Sequence, residues 1–231
     1  MPIKKVALVT GGNRGIGLAA CELLEQKDII VYMACRDIDS GKKAITRKNL
    51  ERTQAIQLDV SKPETFAPAF DIIEKESGKL DILVNNAGIS RGVRDKPSEE
   101  DIEQIRDTFE VNFFGPWLLI QQMLPLLKKS ENGHIINVSS GHGSSTKISG
   151  NNLAYRSSKS SLNVLTQAFA DELAGSGIRV NCMTPGWVRT KLGGVAAPRT
   201  PSQGAETILW LATNNEGSSG KFYKDKDIFP W

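Results

Sequence analysis

One pattern limits what this chain can become. Short, nearly continuous apolar runs alternate with longer stretches of helical periodicity along its 231 residues. The apolar runs fall at 4–10, 29–35, 54–60, 80–86, 133–140 and 178–186, with a last short strand expected within 220–231. Helical patterns fill 15–27, 40–51, 63–77, 98–130, 153–175 and 201–213. The long pattern at 98–130 should bend near Gly115–Pro116, because proline lacks an N–H and its ring crowds the preceding turn. Strands that are apolar throughout need cover on both faces, and a helix between successive strands lets them run parallel. The expectation is an α/β fold: a doubly wound, Rossmann-like sheet of about seven parallel strands with helices on both faces. No repeat, low-complexity tract or linker interrupts the pattern, so 1–231 is read as one domain.

Composition removes several function classes. A net charge of +3 without a dense Lys/Arg stripe gives no phosphate-backbone footprint, so no nucleic acid is expected. Cys21, Cys35 and Cys182 are odd in number and widely spaced, against a disulfide framework or zinc site and in favour of a reducing compartment. His134 and His142 are not spaced as ligands, and no metal is expected. No stretch approaches the roughly 20 apolar residues that span a bilayer. The opening "MPIKKVALVTGG" reads as a first strand rather than a signal peptide, and a cytoplasmic protein is expected.

In doubly wound sheets ligands sit beyond the carboxyl ends of the strands, so the loops after each strand are the places to search. The first strand is followed by "TGGNRGIG". Gly11, Gly15 and Gly17 are spaced G-x-x-x-G-x-G, with Asn13, Arg14 and Ile16 between them. Such a turn lets backbone approach a pyrophosphate at a helix N-terminus. No Gly-Lys-Ser/Thr follows, so it is not a P-loop. After the second strand an NAD site usually carries an acidic side chain on the ribose 2′-OH. Here Arg36 takes that place, with Asp37 next and Arg14 within range of the same region. Two guanidinium groups suit a 2′-phosphate, which favours NADPH/NADP+ over NADH; Asp37 keeps the other cofactor open. Asp59 and Val60 follow the third strand, where an adenine ring could rest. "NNAG" ends the fourth: Asn85 is suited to bonding between strands, and Asn86, Ala87 and Gly88 could line a ribose. Asn112 is a poor helix former inside a helical pattern and is expected to be tied to a backbone group. The fifth strand ends in Ser139–Ser140 and leads through "GHGSSTKISGNN" to Tyr155, with Lys159 one helical turn further on the same face. "TPGWVRT" follows the sixth, with a sharp turn at Pro185–Gly186 and then Val188 and Thr190.

This ordered set resembles the short-chain dehydrogenase/reductase family over nearly the whole chain, and within it is most similar to NADPH-dependent carbonyl reductases. The resemblance implies a nicotinamide cofactor and a catalytic group that maps to Asn112, Ser140, Tyr155 and Lys159. It implies hydride transfer to a small-molecule carbonyl with Tyr155 as general acid. Ser140 would hold the substrate oxygen. Lys159 would lower the tyrosine pKa and bond the nicotinamide ribose. Asn112 would support a water that relays protons to Lys159.

Two departures bear on these assignments. Fifteen residues separate Ser140 from Tyr155, where many members have about thirteen, which brings Ser139 into contention; strand alternation sends the two serines to opposite sides. The segment after "PGWVRT" is short, so an open, tolerant substrate site is expected. His142 lies where it could line the substrate mouth or simply be solvated. The apolar stretch 113–127 could support a homodimer or higher oligomer. Two other readings remain: a 3-oxoacyl thioester reductase whose carrier protein meets Arg189, Lys191 and Arg199, and a sensor that binds NADP(H) without turnover.

Overall fold

The computed structural model describes residues 4–91, 96–147, 151–215 and 217–231. Eight strands form one sheet in the order β3-β2-β1-β4-β5-β6-β7-β8. They are β1 (Val6–Thr10), β2 (Ile30–Cys35), β3 (Thr53–Gln57), β4 (Ile82–Asn85), β5 (His134–Val138), β6 (Arg179–Met183), β7 (Phe222–Lys224) and β8 (Asp227–Ile228). The first seven are parallel, as expected. The expected last strand is a hairpin instead, with β8 antiparallel to β7.

The helices are α1 (Gly15–Glu25), α2 (Ile38–Lys48), α3 (Phe66–Ser77), α4 (Ile102–Phe109), α5 (Gly115–Leu127), α6 (Leu153–Glu172) and α7 (Pro201–Thr213). Residues of β1 alternate between two cores. Val6 and Leu8 pack with α3, α5 and α6, while Ala7 and Val9 pack with α1, α2 and α7. Burying each large aliphatic side chain of these cores contributes about 1.5–3 kcal/mol before entropy is set against it. The chain runs outward through β1, β2 and β3, then crosses back to β4 on the other side of β1. That reversal opens a crevice beyond the carboxyl ends of β1 and β4, which is where a doubly wound sheet takes its ligand.

The long helical pattern differs from expectation. It begins at Ile102, and the break precedes Gly115–Pro116: Glu110–Phe114 is a π-helical turn between α4 and α5. Pro116 follows directly on the π turn, whose helical backbone runs on through Phe114 and Gly115, so its missing N–H leaves the ladder one donor short there. Gly115 lies so close to the Val60 carbonyl that a β-carbon would collide with it. Asn112, inside the wide turn, is fully buried.

Candidate active site

The crevice is built from the loops around it. Gly11 and Gly15 have φ of 61° and 56°, a conformation that glycine adopts without strain. Gly17, on the first turn of α1, packs against the Gly11 carbonyl and the Asn86 amide with no room for a β-carbon. Thr10 binds the two loops together. Its hydroxyl accepts from the backbone N–H of Asn86 at 2.9 Å and of Ala87 at 3.0 Å, while Asn86 Nδ2 donates to the Thr10 carbonyl at 2.8 Å. The Asn13 amide donates to Ser40 Oγ at 2.6 Å and ties the glycine loop to α2. Asn85 Nδ2 donates to Asn137 Oδ1 at 2.8 Å, a bond between neighbouring strands.

These features fit a dinucleotide. Arg14 occupies the N-cap of α1, and no side chain caps that helix. The first N–H groups of α1, Gly15, Ile16 and Gly17 among them, therefore face the crevice with the positive end of the helix dipole behind them, an arrangement that takes an anion. The second strand's loop separates its two charged residues. Asp37 is the N-cap of α2, and its Oδ1 accepts from the amides of Asp39 and Ser40 at 3.1 and 3.4 Å. Arg36 and Arg14 are exposed, and neither is engaged by another described side chain. Asp59 accepts from Ser61 N at 3.1 Å and Ser61 Oγ at 2.8 Å, which holds the turn after β3, and Val60 is buried beneath it.

Four expected site residues come together beside Gly88. Ser140, half-buried, stands close enough to Tyr155 to act on its hydroxyl, and its own Oγ accepts from His142 N at 3.2 Å. Ser139 is turned the other way and donates to Asn163 Oδ1 at 2.6 Å. Lys159 is buried, and its Nζ donates to the Val138 carbonyl at 2.8 Å, 5.9 Å from the centre of the Tyr155 ring. A β-carbon on Gly88 would stand 3.3 Å from Asn112 Oδ1 and 3.5 Å from Lys159 Nζ, so both groups border the same small space. The Asn112 side chain is bound on both sides: Oδ1 accepts from Ile89 N at 2.9 Å, and Nδ2 donates to the Ile89 carbonyl at 2.9 Å and to Ser158 Oγ at 3.0 Å. Both amide N–H groups are spent, while Oδ1 accepts one bond and keeps a second acceptor position.

Burial dominates the titration of this cluster. It lowers Lys159 to about 8. It raises Tyr155, with the Ser140 hydrogen bond acting the other way. The expected lowering rests on the Lys159 ammonium together with the positive nicotinamide of an oxidised cofactor; in the protein alone burial outweighs the lysine. The ammonium is turned to a backbone carbonyl, and desolvation of the phenolate is the larger effect.

The loop after β6 closes one side. Pro185 and Gly186 make the turn, with Gly186 at φ 74°. Val188 is buried, and Thr190 stands over the glycine loop, 3.3 Å from where a β-carbon of Gly15 would be. The loop after β5 closes the other. The His142 ring is exposed and meets the Tyr155 ring edge-on at 6.2 Å, so it stands at the mouth of the site. Part of that loop, 148–150, lies outside the described residues, as do 1–3, 92–95 and 216.

Several residues that build the site carry no signal that was read from the sequence. Thr10 could have been noticed as a polar residue closing an apolar run. Ser158 receives the Asn112 amide, Thr184 Oγ1 accepts from Gly141 N at 3.0 Å, and Glu100 accepts from the first N–H groups of α6 at 2.6 and 3.0 Å. Their partners are distant in sequence, so spacing does not reveal them.

Comparison with known proteins agrees with this geometry. A family model described as short chain dehydrogenase matches residues 5–199. Carbonyl reductase [NADPH] 1 of Mus musculus is 32% identical, with 99% of each chain covered. The crystal structure of NADPH-bound carbonyl reductase from chicken fatty liver superposes with a TM-score of 0.90 at 29% identity, covering 99% of each chain. Salutaridine reductase from Papaver somniferum superposes with a TM-score of 0.87 at 27% identity, covering 95% of this chain and 99% of the other. With residues 5–199 matched by the family model and a relative aligned over almost its full length, the chain belongs to the short chain dehydrogenase family.

Proposed function

We propose that this protein is an NADPH-dependent reductase of aldehydes and ketones. The observation that carries the reading is the buried Lys159 ammonium 5.9 Å from the centre of the Tyr155 ring, with Ser140 close by, at the mouth of a crevice framed by Gly11, Gly15, Gly17 and Asn86. The names of the relatives, carbonyl reductases with NADPH, support the same cofactor and reaction. The whole chain, 1–231, acts as one dinucleotide-binding domain.

When bound, NADPH supplies the hydride that reaches the carbonyl carbon. The residues do the rest. The N-terminus of α1 would hold the diphosphate, Arg14 and Arg36 would hold the 2′-phosphate, and the turn at Asp59–Val60 would receive the adenine. Asn86, Ala87, Gly88 and the segment from Pro185 through Gly186 and Val188 to Thr190 enclose the remainder. Ser140 Oγ and Tyr155 Oη converge on the substrate oxygen and donate to it. A raised phenol stays protonated at neutral pH, which is the form a reduction needs. As hydride arrives the carbonyl oxygen becomes an alkoxide, a far stronger base than phenolate, so the proton moves from Tyr155 Oη without a large opposing step. Lys159, poised near 8, replaces it and is itself resupplied through water beside Asn112.

Two of the three arginines and lysines that would greet an acidic carrier protein are otherwise engaged. Arg199 holds Asp225 and the Pro185 carbonyl, and Arg189 holds the Ala197 carbonyl. That weighs against a thioester reductase, and an assembled Ser140–Tyr155–Lys159 group weighs against a sensor without turnover. The exposed side chains Phe114 (42%), at the end of the π turn, and Trp117 (39%) and Leu118 (38%), on α5, support a homodimer through this face. Among the described residues no helix is long and apolar enough to cross a membrane, and the cytoplasm is the proposed compartment.

The test is direct. Purified protein is mixed with NADPH or NADH and a panel of carbonyls, including an isatin, a quinone, an α-keto ester and a plain aromatic aldehyde. Loss of the reduced-nicotinamide absorbance, faster with NADPH, is expected. Faster use of NADH overturns the role of Arg14 and Arg36, and tight NADPH binding without turnover of any carbonyl overturns the reductase reading.

A further inference from the structure

Both loops that flank the catalytic group are fastened to one small element at the edge of the sheet. On the substrate side, the hydroxyls of Ser144 and Ser145 donate to the same backbone oxygen of Trp231, at 3.0 and 2.7 Å. Trp231 and Phe229 pack on Phe222 of β7, with ring centres 5.6 and 5.1 Å away. Phe229 also approaches Gly141, the residue after Ser140, within 3.9 Å of where its β-carbon would be. On the cofactor side, Asp225, in the turn between β7 and β8, takes a two-pronged contact from Arg199 at 2.6 and 2.6 Å. The same guanidinium donates to the Pro185 carbonyl at 3.1 Å.

Resting on the reductase reading, we propose that the β7–β8 hairpin and its tail Phe229–Trp231 form a double buttress, with Trp231 positioning the Ser140 loop for proton transfer and Asp225 positioning the Pro185–Thr190 loop for cofactor binding. The loop between them cannot hold this geometry alone. Residues 141–147 form only two separate short turns, Gly141–Gly143 and Ser145–Lys147, and the backbone of the first is fixed to α6 at Gly143 by donors from Ser160 and Asn163, both at 3.0 Å. Past Gly143, the two serines reach the tail. Small displacements matter here, because proton transfer from Tyr155 needs Ser140 and Tyr155 to meet one substrate oxygen together. Neither Trp231 nor Asp225 touches the reacting atoms, so both are positioning residues.

The two arms give opposite signatures. Trp231→Ala, and separately the double change Ser144→Ala with Ser145→Ala, are expected to lower kcat between about tenfold and a hundredfold with NADPH Kd unchanged. Trp231→Phe keeps a ring on Phe222 and is expected to recover most of kcat. Asp225→Ala is expected to raise NADPH Kd several-fold with kcat nearly unchanged. Hydrogen exchange of the amides at 141–146 is expected to speed up in the Trp231 and serine variants and not in Asp225→Ala. Equal loss of kcat and NADPH affinity in every variant, no recovery in Trp231→Phe, or unaltered exchange at 141–146 each overturns the proposal. If the parent protein turns over no carbonyl, the reductase reading fails; if it turns over and the variants match it, only the buttress fails.

Discussion

The ammonium of Lys159 donates to the carbonyl of Val138, the last residue of β5, at 2.8 Å. That bond aims the lysine into the space beside Gly88 and Asn112 while burial brings it to about 8. A charge kept there at neutral pH opposes stability, because the folded value lies below the ordinary lysine value of 10.5. The sign follows: the unfolded chain binds this proton more tightly, so stability rises as pH climbs from about 8 toward 10.5. Lys159→Met should therefore hold or raise the melting temperature near pH 7 while lowering kcat by about a hundredfold or more. Paired thermal melts and initial rates check it, and a coincident loss of stability would count against the burial argument.

Proton supply gives a pH profile. In the proposed mechanism Tyr155 and Lys159 are both protonated for reduction, and Lys159 releases its proton first. The kcat for carbonyl reduction should be level below about 8 and fall above it. A profile that stays level to pH 10 would remove Lys159 from the proton path.

Removing the phenol isolates the chemical step. Tyr155→Phe deletes the donor and leaves the ring against His142. A loss of about 10²–10⁴ in kcat is expected, with NADPH affinity within about twofold because the N-terminus of α1 is untouched. Fluorescence titration with NADPH beside steady-state rates measures both. Retained turnover would end the general-acid assignment.

The two charged residues after β2 should separate cleanly. Arg36→Ala should cost about tenfold to a hundredfold in kcat/KM with NADPH, the range for a lost charged hydrogen bond, and leave NADH little changed. Asp37→Ala should leave the NADPH-to-NADH ratio alone and cost about 0.5–2 kcal/mol of stability, since its carboxylate caps α2. Cofactor ratios and chemical denaturation distinguish the two. A switch in cofactor preference in Asp37→Ala would mean that this carboxylate faces the ribose.

Gly17→Ala inserts a methyl between the Gly11 carbonyl and the Asn86 amide, both rigid backbone or tightly bonded neighbours. Overpacking of this kind costs about 1–3 kcal/mol, and here it also pushes α1 away from the proposed diphosphate site. A lower melting temperature together with weakened NADPH binding is the expected result. Unchanged binding would place the diphosphate elsewhere.

The order of the strands' loops, and which residues close them, could be read from local signals. Glycine spacing gave the turn at Gly11–Gly17, and helical periodicity put Tyr155 and Lys159 on one face. The remainder depends on pairings that no spacing records. Ser144 and Trp231 are 87 positions apart, and Thr10 and Asn86 are 76 apart. Asp37 left NADH open because strand-end acids often bind a ribose; its use as a cap follows from where α2 begins. Adjacency of Tyr155 to Lys159 can be read from sequence, whereas the desolvation that raises the phenol in the protein alone cannot.

The π-helical turn at Glu110–Phe114 has a consequence for the helix beyond it. An α-helix advances about 100° per residue, and a π turn accommodates one residue more than that cycle allows. The turn therefore shifts the angular phase of α5 against that of α4. Upstream, the phase carries Thr108 inward; downstream, it carries Leu119, Ile120 and Met123 into the core. Deleting one residue from 110–114 would restore an unbroken helix, but the two halves would then disagree about which side is inside. Either Asn112 would leave Ile89 and Ser158, or the apolar face of α5 would turn toward water. The local irregularity that holds one asparagine is thus also the setting that lets two helices share a single core.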